Sequence, residues 1–168
     1  MNTLEFTGLD EKKVKNIISG LAQLLADYQI YYTNLRNLHW NVKGHGFFIM
    51  HEKYEEMYNI AATQIDDIAE RILQLGGKPE SRFSEYLKVS AIKEIEGVDC
   101  GKQAIELILS YYKLLIAQER AIIEAASEAG DDVTADLMTG WIAAQEKSIW
   151  MLVAFSQEKH HGECGCEK

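Results

Sequence analysis

Apolar residues recur at alternating intervals of four and three along most of this chain, the spacing that places them on one face of an α-helix. Ile17, Leu21, Leu24, Tyr28, Tyr31, Leu35 and Leu38 form the first such stripe. It predicts a helix that starts near Asp10, a good N-cap residue, and runs to about Asn41 before Gly44 and Gly46 interrupt it. Met50, Tyr54, Met57, Ala61, Ile65, Ile68 and Ile72 predict a second helix from Phe47 to Leu75, stopped by Gly76, Gly77 and Pro79. A third, from Lys102 to Ala129, follows from Ile105, Leu109, Tyr112, Ile116 and Ile123. Leu137, Trp141, Ala144, Met151 and Phe155 predict a fourth from Asp131 to Lys159, and Asp131 and Asp132 favour its start through the helix dipole.

Residues 76–100 are too many for a tight turn between antiparallel neighbours and too well patterned to be disordered, since FSEYLKVS can hold a short helix. They read as a crossover. Four long helices with one long connection in the middle predict an all-α fold, a ferritin-like four-helix bundle whose crossover contains a short helix. Residues 1–159 read as one domain, and residues 160–168, HHGECGCEK, as a polar tail.

Composition narrows the function. A chain of 168 residues that is 47% apolar can bury a substantial core. Its net charge of −9 argues against a general nucleic-acid binder, which needs clustered Lys and Arg, and suits cations. There is no basic and apolar leader and no apolar run of about 18 residues, so a cytoplasmic protein with no membrane contact is expected. Three cysteines, two of them close together at Cys164 and Cys166, point to reduced thiols.

Within the second helix, Asp66 and Glu70 stand four apart and project from one face, where two carboxylates can share a cation. A solvated acidic pair is the commoner meaning of that spacing. At about 100° per residue, however, His51, Glu55, Asp66 and Glu70 share one flank with Tyr58, Ala62, Ala69 and Leu73. That flank is a second, partly apolar surface and suggests a subunit contact. His51 and Asp66 are 15 residues apart, roughly 22 Å along one helix axis, so they cannot hold one ion within one chain. Either the histidines and carboxylates serve separate purposes, or two chains pack antiparallel and a two-fold axis makes two shared sites. His39 can join His51 through the glycine-containing turn between them. Two imidazoles and two carboxylates suit ferrous iron, with zinc or manganese as substitutes.

Two familiar arrangements are missing. An iron centre inside each bundle needs Glu-x-x-His on two helices, and the single match, Glu158 to His161, falls in the tail. His51-Glu52 opens like a zinc protease motif, but the fifth position is Glu55.

His39-Trp40, Gly44, Phe47, His51-Glu52, Asp66, Ala69-Glu70-Arg71 and Leu75-Gly76-Gly77-x-Pro79 together resemble the Dps family of mini-ferritins, with ligand spacings of twelve, fifteen and four. The resemblance implies a hollow homo-dodecamer with ferroxidase sites at its two-fold interfaces, His39 and His51 coming from one subunit and Asp66 and Glu70 from its partner. It implies oxidation of ferrous iron, preferentially by hydrogen peroxide, storage of ferric iron in the cavity and protection against oxidative stress. Glu55 is then a further, water-bridged ligand. Trp40 is expected to pack, and Asp136 is a candidate to line an entry pore, with Glu146 behind it, whereas Asp131 and Asp132 read rather as solvated acids at an ordinary helix N-terminus.

The Lys-rich extension that serves DNA binding in some family members has no counterpart in MNTLEFTGL, so direct DNA binding is doubtful. His160, His161, Cys164 and Cys166 form a weak chelating signal, and Cys100 is a candidate buried thiol or soft ligand. A structural DNA-binding protein and a zinc- or haem-binding assembly remain the alternatives to a ferroxidase.

Overall fold

The computed structural model describes residues 3–157. Its six helices are α1 (Thr3–Thr7), α2 (Glu11–Asn41), α3 (Phe47–Gln74), α4 (Phe83–Val89), α5 (Gly101–Ala129) and α6 (Asp132–Ser156). The four long ones match the expected helices to within a residue or two at the described ends, and α4 is the short helix expected in the crossover. The fold is therefore the all-α, ferritin-like four-helix bundle. The short α1 was not foreseen, because five residues hold too little periodicity to register.

Asp10 starts α2 as expected, its carboxylate accepting from the backbone N–H of Lys12 at 2.7 Å. The stripe from Ile17 to Leu38 is buried throughout, and α2 packs on α3, α4 and α5, while α5 packs on α6. Gly20 lets α2 approach α5 closely: a Cβ there would lie 2.8 Å from Ile122 Cγ1. Between α2 and α3 the chain reverses in five residues, and Gly46 takes φ of 87°, a conformation that a side chain would resist.

The two later stripes hold in part: Ile105, Tyr112 and Ile116 are buried as expected, and Leu109, Ile123, Leu137, Trp141 and Phe155 are half-buried against the core, but the deepest positions lie beside them. On α5 the deepest positions are Ile108, Leu115, Glu119, Ile122 and Ala126; on α6 they are Thr134, Met138, Gln145 and Leu152, while Ala144 and Met151 are exposed. Apolar residues surround most of α6, so periodicity could not select its core face, and three of the core positions are the polar residues Glu119, Thr134 and Gln145.

Buried polar side chains fasten the crossover. Asp27 Oδ1 accepts from Ser90 Oγ at 2.8 Å, Ala91 N at 2.6 Å and Ile92 N at 3.2 Å, and Oδ2 accepts from Gln23 and Gln118. About two turns along, Asn34 donates to the Lys93 carbonyl at 2.8 Å and accepts from Ile95 N at 3.2 Å. At the opposite joint, Arg71 near the end of α3 meets Asp131, the N-cap of α6, at 2.6 Å and donates to Thr134 Oγ1 at 2.8 Å. Asp131 is 2% exposed and so is excluded as a pore residue; Asp132 and Asp136 are exposed, and exposed Glu146 pairs with Arg120 at 2.9 Å. Cys100, at the N-cap of α5, is disulfide-bonded, correcting the expectation of reduced thiols; spacing does not show which cysteine a loop thiol meets. His160, His161, Cys164 and Cys166 lie outside the described residues. Among those described, no helix is long and apolar enough to cross a membrane.

Candidate metal centre

His39 sits in the last turn of α2 and His51 in the second turn of α3, and the reversal between them brings the two imidazoles face to face, with ring centroids 3.7 Å apart and planes 22° from parallel. Each ring is tied to the other residue's backbone: His39 Nδ1 donates to the His51 carbonyl at 2.8 Å, and His51 Nδ1 donates to the His39 carbonyl at 2.9 Å. A carbonyl oxygen carries no proton, so both Nδ1 atoms must carry one. In the neutral ring this leaves each Nε2 with its lone pair, the form that binds a metal, and hydrogen bonding of the remote nitrogen to a carbonyl is the usual way a histidine ligand is aimed.

Aromatic rings close the pocket. Phe47 stacks on the far side of His51 at 5.0 Å, and Tyr58 sets its ring edgewise to His39 at 5.4 Å. His39 is buried, His51 half-buried and Glu55 exposed. One donor atom from each of the three lies within 4.8 Å of the others, a cluster able to coordinate a divalent metal. Glu55 follows His51 by one helical turn, which explains its place in the cluster.

Asp66 and Glu70 do not join this group. Both are exposed on α3, about four and about five turns beyond His51, as the axial rise requires. Ile60 and Leu73 on the same helix are also more than half exposed, as are Phe48 and Ile49 near its start. Trp40, expected to pack, is 64% exposed in the single chain, with the Arg36 guanidinium 4.6 Å above its ring. A pattern search had no means of finding the polar core group Tyr28, Glu119 and Gln145, because each residue belongs to a different helix.

Comparison with known proteins agrees with this geometry. The ferritin-like domain of the ferritin family matches residues 18–159. The DNA protection during starvation protein of Porphyromonas gingivalis is 53% identical over 91% of this chain and 96% of its own. Of the solved structures, a Dps protein from Vibrio cholerae O1, described as a member of a broad superfamily of ferritin-like diiron-carboxylate proteins, superposes with a TM-score of 0.85 at 41% identity, covering 88% of this chain and 92% of its own. Dps from Staphylococcus aureus does so with a TM-score of 0.80 at 36% identity, covering 83% and 94%. The chain belongs to the Dps family of ferritin-like proteins.

Proposed function

We propose that this protein is a mini-ferritin that oxidises ferrous iron at centres shared between two subunits and holds the ferric product in the cavity of a dodecamer. The observation that carries the reading is the locked pair of imidazoles, each with Nε2 available, His51 lying on the α3 flank that also bears exposed Asp66, Glu70 and Leu73. An antiparallel partner on that flank covers the apolar side chains and carries its own acid pair to the histidines. His39 and His51 of one subunit, with Asp66 and Glu70 of the other, then bind iron as substrate, and Glu55 adds a ligand directly or through water.

The chain's groups set the chemistry. Neutral imidazoles admit ferrous iron without adding charge, and the carboxylates favour the ferric product, whose higher charge they offset. Hydrogen peroxide is the proposed preferred oxidant: two ferrous ions give one electron each, the O–O bond breaks, and two hydroxides form with no free radical. The acidic character of the chain, −9 overall, suits capture of the cation. On this reading the protein is a cytoplasmic protectant against peroxide.

The test uses His51→Ala and Asp66→Ala. Each alone is expected to reduce ferrous oxidation to the protein-free rate. A mixed dimer of the two retains one intact centre, because the wild-type histidines of one chain meet the wild-type acids of the other, and recovers activity. No recovery in verified mixed dimers would overturn the shared centre. Stable zinc binding without turnover would favour the zinc-binding alternative.

A further inference from the structure

Arginine in this chain stands, with one exception, against an acid. Of the four arginines, Arg71 meets Asp131, Arg82 meets Glu80 and Arg120 meets Glu146. Among the described residues, no carboxylate pairs with Arg36. Its guanidinium lies instead between two rings of α2, 5.4 Å from the Tyr32 centroid and 4.6 Å from the Trp40 ring. Tyr32, Arg36 and Trp40 follow one another at intervals of four and so form one stripe on the helix. The rings attract the charge and limit its rotamers, but an aromatic face does not neutralise it. In a chain of net charge −9, this is a half-buried cation held ready for an anion that its own subunit does not supply.

That cation borders the metal centre. His39 follows Arg36 by three residues on α2, about 4.5 Å along the axis. Tyr58 of α3 touches rings on both sides of it, Tyr32 at 6.1 Å and His39 at 5.4 Å, so Arg36 stands along the seam between α2 and the α3 flank of Asp66 and Glu70. A lone positive charge beside a site for ferrous iron is unfavourable unless an acid shares it. The antiparallel pairing proposed above supplies that acid. His39 is opposite His51; with the partner's Asp66 and Glu70 level with His51, equal helical rise puts Arg36 level with about position 65 of the partner's α3. That is next to Asp66 and more than a turn from Glu70. The metal-free centre then gathers Glu55 of one subunit with Asp66 and Glu70 of the partner subunit, and the mutual repulsion of these carboxylates opposes assembly until a positive charge joins them.

We propose that Arg36 is the resident cation of the empty shared centre: its guanidinium pairs with Asp66 of the partner subunit while no metal is bound and gives that carboxylate up when a metal takes it. The pairing rests on the shared centre proposed above. Stacking on Tyr32 and Trp40 occupies only the faces of the guanidinium, so its edge N–H groups remain free to fork onto a carboxylate. One side chain thus has two opposed effects. In the metal-free dimer it offsets the repulsion among the acids and holds the subunits together; towards an incoming metal it competes for one ligand. Linkage makes the two effects equal, because whatever the pair contributes to the empty interface is what the metal must overcome. The loaded interface does not depend on it.

Sedimentation of dilute metal-free protein and calorimetry with zinc alone test the pair. Arg36→Gln is expected to raise the subunit dissociation constant of the metal-free protein roughly tenfold, the low end for a close charge pair across an interface. The same variant is expected to bind zinc more tightly by a similar factor, with the zinc-loaded assembly unchanged. A residue that merely packs would weaken assembly and zinc binding together, and that result overturns the proposal. Charge reversal is the independent check. Arg36→Glu and Asp66→Arg each set like charges against one another and are expected to dissociate the metal-free protein, whereas the double variant reassembles. A double variant no more associated than the singles also overturns the pair, and Arg36→Gln decides alone where circular dichroism shows that a reversed variant has lost its helices. Reassembly of the double variant with no ferrous oxidation by the wild type sinks only the ferroxidase. Recovered activity in the mixed dimers of His51→Ala and Asp66→Ala, without coupling between Arg36 and Asp66, sinks only the resident cation.

Discussion

Glu119 is ionisable, fully buried and, among the described residues, without a cation, so the folded chain holds its proton more tightly than the unfolded chain does. Its value rises from 4.5 to about 7 on folding. Below pH 4.5 both states are protonated and the full stability is present; as pH rises through 7 the folded state must take a buried charge and that stability is lost. The loss amounts to about 3 kcal/mol per chain. Thermal denaturation of the wild type is expected to show this decline between pH 5 and pH 8, and Glu119→Gln to remove it. A wild-type profile no steeper than the variant's would assign the carboxyl a different environment. None of this was legible beforehand, because Glu119 interrupts an apolar stripe that periodicity reads as shifted by a residue. His39 and His51 were legible, because a histidine on each side of a glycine turn admits few geometries. Their mutual carbonyl hydrogen bonds were not, since spacing specifies no ring orientation.

Two joints hold the helices as a bundle, and both rest on carboxylates that hydrophobic patterning ignores. Asp27 gathers the chain at Ser90, Ala91 and Ile92 onto α2, and its replacement by Ala leaves those donors without their acceptor. That change is expected to cost about 3 kcal/mol in urea unfolding. Arg71 and Asp131 join the end of α3 to the start of α6. Burial raises the Asp131 carboxyl, but hydrogen bonds from Arg71 and Thr134 outweigh it and hold it below the usual range. Its contribution is therefore complete above the unfolded value and disappears as pH falls through the folded one. Arg71→Ala strands the carboxylate and should destabilise by about 3 kcal/mol or more at pH 7, with a smaller deficit in strong acid; an equal deficit at both would deny the charge its part. Helix limits were readable because caps and glycines are local signals, as Asp10 and Gly130 show. The joints pair residues some 60 positions apart, and no local signal encodes them.

For the molecule as a whole, one chain presents an incomplete centre and an incomplete surface. Ile60 and Leu73 are 51% and 54% exposed on the helix that also carries Asp66 and Glu70. Placing a charge there, as in Leu73→Lys, is expected to separate the subunits in sedimentation and to abolish ferrous oxidation while leaving helix content unchanged. Full activity in a proven monomer would refute the shared centre. The bundle and its crossover were apparent from four stripes and one long interval. Assembly was apparent only through the second flank of α3, because an exposed apolar face shows that something covers it without showing which symmetry does so.

The five residues between α2 and α3 act as a gauge as well as a turn. Each imidazole is anchored to the backbone of the other's helix, so the register of the two helices is fixed to within a single residue. One inserted residue would turn His51 by about 100° about the α3 axis and part both anchors together. Surface turns are ordinarily the safest places to graft a peptide or reconnect the chain ends. Here that freedom belongs to the exposed stretch around Ser81, and residues 42–46 should keep their length in any redesign that keeps the centre.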